Sequence, residues 1–148
     1  MIRKRKDKEQ VLLSNTTKIK VRFSEVDSMR IVWHGNYVKF FEDGREAFGM
    51  RYPGLGYMDI YAGGYTAPIV DMQLQYLKPL TIGQEAVVQT DYIATDAAKI
   101  CFRYRIMNLD GELVARGSTM QVFVDLNGDL SLNNPPFYEQ WKKKWLNR

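Results

Sequence analysis

From Thr17 onward apolar and polar residues take turns: Ile19, Val21 and Phe23 alternate with Lys18, Lys20, Arg22 and Ser24. A period of two is that of a half-buried β-strand. The alternation stops at Glu25-Val26-Asp27-Ser28, and an irregular stretch runs from Met29 to Gly35. Then the period changes. Tyr37, Phe40, Phe41, Gly44, Ala47 and Phe48 recur at three- and four-residue steps, while Lys39, Glu42, Asp43 and Glu46 fall mainly on other sides. That spacing predicts a strongly aromatic helix, with Asn36 as its N-cap and Gly49 as its C-terminal stop. Residues 51–68 hold Pro53, Gly54, Gly56, Gly63, Gly64 and Pro68 and read as a loop. The loop also carries Tyr52, Tyr57, Tyr61 and Tyr65, with Leu55, Met58 and Ile60, so it is expected to cover an apolar site.

Four further strands are predicted. The first runs from Ile69 to Leu77 and ends at Lys78-Pro79. The second spans Glu85 to Ile93. In the third, Ile100, Phe102, Tyr104 and Ile106 alternate with Lys99, Cys101, Arg103 and Arg105. Asn108-Leu109-Asp110-Gly111 is a hairpin turn. The fourth strand runs from about Glu112 to Val124. Pro135 opens a short C-terminal helix with Phe137, Trp141 and Trp145 on one stripe. Residues 1–15 read as a flexible N-terminal arm and 16–148 as a single domain. The order predicts an α+β fold in which one antiparallel sheet wraps around one long central helix. The sheet's edges need cover, and pairing of edge strands in a homodimer or homotetramer would supply it.

Composition narrows the class. The chain has 148 residues, 45% of them apolar and 26% charged, which suits one folded domain rather than a disordered segment. No apolar run approaches the roughly 20 residues of a membrane span. The basic start, Arg3 to Lys8, has no apolar stretch behind it and does not read as a secretory leader. A lone cysteine, Cys101, fits a reducing cytoplasm. The net charge of +4 is concentrated in Arg3–Lys8 and Lys142–Lys144, and no nucleic-acid-binding motif accompanies it. A mildly basic surface also suits phosphate-bearing ligands.

Two residues of the irregular link could carry chemistry: Asp27, after the strand end, and His34, the only histidine, before the helix. Free amides at a helix start can bind an oxyanion, and a nearby carboxylate can act as base or nucleophile. Without a second histidine or a CxxC pair, no metal site is expected.

The run Val21-Arg22-Phe23-Ser24-Glu25-Val26-Asp27, then Val32-Trp33-His34-Gly35-Asn36-Tyr37, then Phe41-Glu42 with Arg45, resembles the signature of the 4-hydroxybenzoyl-CoA thioesterase family, in particular its YbgC-like acyl-CoA thioesterase branch. Pro68-Ile69-Val70 through Tyr76-Leu77-Lys78-Pro79 and Gly111-Glu112 through Val124-Asp125 extend the match over roughly residues 18–126. Two positions depart from it. Met29-Arg30 stands where relatives commonly have glycine, and Phe23 stands where many have tyrosine.

The resemblance implies a hotdog fold and hydrolysis of acyl-CoA to free acid and CoA. It implies no metal or cofactor, coenzyme A being part of the substrate. It maps the catalytic pair onto Asp27 and His34. Amides around Asn36 to Val38 would hold the oxyanion. Asn36, Tyr37 and Glu42 would contact substrate, with Lys99 and Arg116 near the CoA phosphates. An acyl-carrier-protein thioesterase and a non-catalytic acyl-thioester-binding protein remain alternatives. A hydratase, whose Asp and His stand five positions apart, fits less well because Asp27 and His34 are seven apart, and a dehydratase, with its His-Phe-Pro block, fits less well because His34 is followed by Gly35-Asn36.

Overall fold

The structure is a computed structural model that describes residues 9–146. The aromatic helix forms as α1 (Tyr37–Arg51), with Tyr37, Phe40, Phe41, Gly44 and Phe48 buried along one face. Burial of each phenylalanine contributes roughly 1.5–3 kcal/mol. Gly49 lies inside the helix, which ends two residues later at Arg51. Asn36 does not cap it. A 3-10 turn over His34–Asn36 leads straight into α1, so Asn36 is already helical, at φ −76° and ψ −14°.

Strand β1 (Val11–Lys20) begins six residues before the start suggested by the alternation, so residues 11–15 belong to the sheet rather than to the arm. The pairing register slips between Val11 and Leu13, a bulge that breaks the period of two and hides the strand's start. The arm's residues 1–8 lie outside the described residues. Residues 51–68 are not all loop: they contain α2 (Tyr57–Ala62) and β2 (Tyr65–Thr66). Strands β3 (Ile69–Tyr76), β4 (Glu85–Ile93), β5 (Lys99–Asn108) and β6 (Leu113–Val122) fall where the pattern puts them, and a short β7 (Val124–Asp125) pairs with β2.

The antiparallel sheet has the order β1-β4-β5-β6-β3, leaving β1 and β3 as its edges. Its inner face presents Val88, Tyr92, Phe102, Tyr104 and Ile106 to α1. The Phe41 and Tyr104 rings stack with centroids 4.4 Å apart. Gly44 and Gly117 allow this close approach. A Cβ on Gly44 would stand 2.5 Å from Thr90 Oγ1, and one on Gly117 would stand 2.3 Å from the Gln73 carbonyl. Helix α3 (Pro136–Leu146) closes the far end of the core. Trp141 Nε1–H donates to the Tyr52 carbonyl at 2.9 Å, and Trp145 Nε1–H donates to that of Pro53 at 3.0 Å.

Candidate active site

The link between β1 and α1 is a tight hairpin. Val26 bridges Val32, the Asp27 N–H donates to the Ile31 carbonyl at 2.9 Å, and the Arg30 N–H donates to the Asp27 carbonyl at 2.9 Å. Asp27 therefore starts the tip. Its Oδ1 accepts the Met29 N–H at 2.8 Å, and Oδ2 has no partner among the described residues. The side chain is half-buried. Arg30 closes the tip in the left-handed region, at φ 64°. Glycine is the usual residue there, because a Cβ crowds the backbone in that conformation.

His34 follows the base of the hairpin, where the Trp33 N–H donates to the Glu25 carbonyl at 2.9 Å. By the hairpin register it stands about three strand positions from Asp27, roughly 10 Å at a strand's rise per residue. Asp27 and His34 thus share one small element without a direct bond. His34 is exposed, and its ring meets Trp33 and Tyr76 at centroid distances of 5.0 and 6.4 Å. The Tyr76 hydroxyl donates to the His34 carbonyl at 2.8 Å. Tyr76 comes from β3, 42 positions along the chain, and only a family motif pointed to it in the sequence.

The early start of helical structure moves the free amides. The Asn36 N–H donates to the Trp33 carbonyl at 2.9 Å and the Tyr37 N–H to that of His34, so neither is free for an oxyanion. The amides of His34 and Gly35, the first two of the turn, have no acceptor among the described residues. Gly35 lies against the Trp33 indole, where a Cβ would come within 2.2 Å of the ring. The pair of amides that can receive a developing negative charge thus lies one to two residues earlier than Asn36–Val38.

The other sequence candidates divide by location. Asn36 turns its side chain inward, donating from Nδ2 to the Glu25 carbonyl at 2.8 Å. Tyr37 is buried, 5.0 Å edge-to-face from Tyr76, and burial pushes its phenol above the ordinary range. Glu42 is exposed on α1 and lines a cavity of about 780 Å³ with Arg45, Phe48, Leu55, Met58 and Phe102. Leu55, Tyr57, Met58 and Ile60 of the aromatic loop form one wall of this open cavity, while Tyr52, Tyr61 and Tyr65 do not line it. Lys99 and Arg116 face outward from the opposite side of the sheet. Lys99 pairs with Val122 at the end of the sheet away from His34 in the same chain, and Arg116 Nε–H donates to Gln75 Oε1 at 2.7 Å. Glu25 went unnoticed in the sequence as a functional candidate. It is buried, and its carboxylate accepts the Arg22 N–H at 2.7 Å and Lys39 Nζ at 3.0 Å.

Residues 21–144 match the model of the thioesterase-like superfamily. The YneP protein of Bacillus subtilis, provisionally named an acyl-CoA thioesterase, is 37% identical over 107 residues, covering 72% of this chain and 77% of its own. The acyl-CoA thioester hydrolase YbgC of Escherichia coli is 22% identical over 107 residues, covering 72% of this chain and 79% of its own. Among solved structures, the DHNA-CoA thioesterase of Staphylococcus aureus superposes with a TM-score of 0.79 at 25% identity, over 88% of this chain and 89% of that one. The match begins at Val21 and takes in the hairpin, α1, the whole of β3 to β6 and most of α3.

Proposed function

We infer that this chain, which belongs to the thioesterase-like superfamily and is a thioester hydrolase of the hotdog fold, cleaves acyl-CoA to a free acid and CoA with Asp27 as the base or nucleophile. One observation carries the assignment of Asp27. Its carboxylate is half-buried at the tip of a hairpin whose base leads directly into two unpaired amides. Oδ1 is held by Met29 N–H, which fixes the carboxylate, and Oδ2 is left to take a proton from water or to attack the thioester carbon.

In the proposed reaction the thioester carbonyl oxygen accepts hydrogen bonds from the His34 and Gly35 amides. One such donor stabilises the transition state by about 3–4 kcal/mol. The tetrahedral intermediate collapses with release of the CoA thiolate; on the base route the thiolate takes up the proton that Asp27 drew from water, and on the nucleophilic route it is protonated from water and the acyl–Asp27 anhydride is hydrolysed by a further water, which gives the free acid and restores the carboxylate. His34, exposed beside that oxygen, orients the acyl group. Asn36 and Tyr37 act from below, holding the turn rather than touching substrate. No metal or separate cofactor enters this scheme, and coenzyme A arrives as part of the substrate. The proposed compartment is the cytoplasm, where a free thiol such as Cys101 stays reduced. Among the described residues, no helix is long and apolar enough to cross a membrane.

The reading includes a homodimer, or a homotetramer built from it. Strand β3 is a sheet edge with Ile69, Val70 and Tyr76 exposed, and Leu77 just after it is exposed too. Antiparallel pairing of two β3 strands would set the Tyr76 end of one copy against the Ile69 end of the other. The cavity lined by Glu42 and Met58 reaches Pro68, just before β3, so each copy's cavity would face the second copy's turn at His34. The acyl group would enter that cavity, with Glu42 at its rim. Lys99, at the same end of the sheet as the cavity, could then meet the CoA phosphates, whereas Arg116 remains tied to Gln75.

The test is release of free thiol from a panel of acyl-CoAs and acyl-carrier-protein thioesters. Hydrolysis of the CoA esters is expected. Asp27→Asn should slow it at least about 100-fold, the range of a general base, with the melting temperature unchanged. An Asp27→Asn variant as fast as the parent removes Asp27 from the mechanism. Binding across the panel without turnover would make the protein a carrier rather than a hydrolase.

A further inference from the structure

Glu25 is buried to 4% exposure, yet it neither faces the cavity nor supports the sheet. It joins four pieces of the β1–α1 link. Its Oε1 accepts the Arg22 N–H at 2.7 Å, where β1 ends, and its Oε2 accepts Lys39 Nζ at 3.0 Å, from the first turn of α1. Its carbonyl accepts two more donors: the Trp33 N–H at 2.9 Å, at the hairpin base, and Asn36 Nδ2 at 2.8 Å, in the turn before α1. A buried carboxylate is costly unless its oxygens are paired, and here both are.

We propose that the Glu25–Lys39 pair is a positioning device for the thioesterase site, clamping the Asp27 hairpin and the His34–Gly35 amides onto the first turn of α1 in one geometry. The inference rests on the proposed hydrolysis. Asp27 is carried by the hairpin, whose returning side is tied to the segment after β3 by the Val32 N–H donating to the Leu80 carbonyl at 2.8 Å and by the Ile31–Thr81 bridge, while its angle to α1 is set by the contacts of Glu25. That angle sets where Oδ2 stands relative to the amides of the turn. Of the four contacts Glu25 makes, only the ion pair reaches into α1 itself. Lys39 is half exposed, so the clamp closes from the solvent side over a buried acid. Loss of the pair would leave the hairpin held to the start of α1 by the Asn36 contact alone, and so looser against it. Displacements of about 1 Å at a reacting group cost up to about 100-fold in rate.

The experiment compares steady-state hydrolysis of one acyl-CoA by the parent, Lys39→Met, Lys39→Arg, Glu25→Gln and the double variant Glu25→Gln/Lys39→Met. Lys39→Met and Glu25→Gln should each lower kcat about tenfold or more with KM within about twofold, a split that follows from misplacement of the reacting groups. Lys39→Arg, which keeps the cation, should retain at least about half of the parent kcat. The double variant should be no slower than the slower single, because both changes open one clamp. It leaves no unpaired buried charge and so keeps the test readable if a single variant fails to fold. A double variant with parent-like kcat, or a Lys39→Arg variant as slow as Lys39→Met, overturns the clamp. A parent that hydrolyses no thioester, or an undiminished Asp27→Asn, overturns the proposed function instead.

Discussion

Arg30 occupies left-handed backbone at the tip of the Asp27 hairpin, exposed and outside every ion pair among the described residues. Nothing inside the protein compensates the crowding of its Cβ. Arg30→Gly should therefore stabilise the fold by about 0.5–1 kcal/mol, net of glycine's greater freedom in the unfolded chain. Urea unfolding reads this as a higher midpoint at unchanged slope, and an equal or lower midpoint would show the conformation to be unstrained. The sequence marks Met29-Arg30 as the place where glycine is expected, but the strain becomes visible only with the hairpin's register. Asn36 shows the opposite case. Its residue type predicted a helix cap, and the structure instead points the amide at the Glu25 carbonyl, 11 positions earlier. Local preference placed a polar side chain at the right corner, and a contact from outside the helix took it over.

The elements were legible where burial follows one period. Helix α1 and strand β5 repeat cleanly, and together with β4 they match their predicted spans closely. The start of β1 did not, because its bulge puts two apolar neighbours out of phase. Short α2 and β2 were hidden in a glycine-rich segment. Neither is long enough to show a period, and each is held by what it packs against. The contact of helix with sheet makes a sharper prediction. Gly117 on β6 lies under the Phe41 ring, where a Cβ would stand 2.6 Å from that ring and 2.3 Å from the Gln73 carbonyl of β3. One of these neighbours is backbone and cannot swing away. Gly117→Ala should cost about 2–3 kcal/mol, the upper range for overpacking, read as a lowered thermal midpoint. A midpoint within a degree of the parent would mean that β3 and β6 can part locally without loss.

The assembled molecule joins distant parts of the chain. Trp141 closes on Tyr52 across 89 positions, and Tyr76 reaches His34 across 42. The proposed dimer extends this logic to a second copy. Val70→Lys places a charge at the exposed β3 edge and should convert the proposed dimer to a monomer in light scattering coupled to gel filtration. Hydrolysis should fall with it, because each cavity would lose the facing turn. A Val70→Lys protein that stays dimeric would show that another surface holds the pair. Periodicity and turn chemistry were enough to find the strands, the aromatic helix and the polar link between them, since each depends on residues a few positions apart. Family motifs added the role of that link. The partners of Glu25, the inward turn of Asn36, the shift of the free amides to His34 and Gly35, and the cavity beneath the aromatic loop follow from strand order and helix placement. They depend on contacts between segments remote in the chain, which no local repeat encodes.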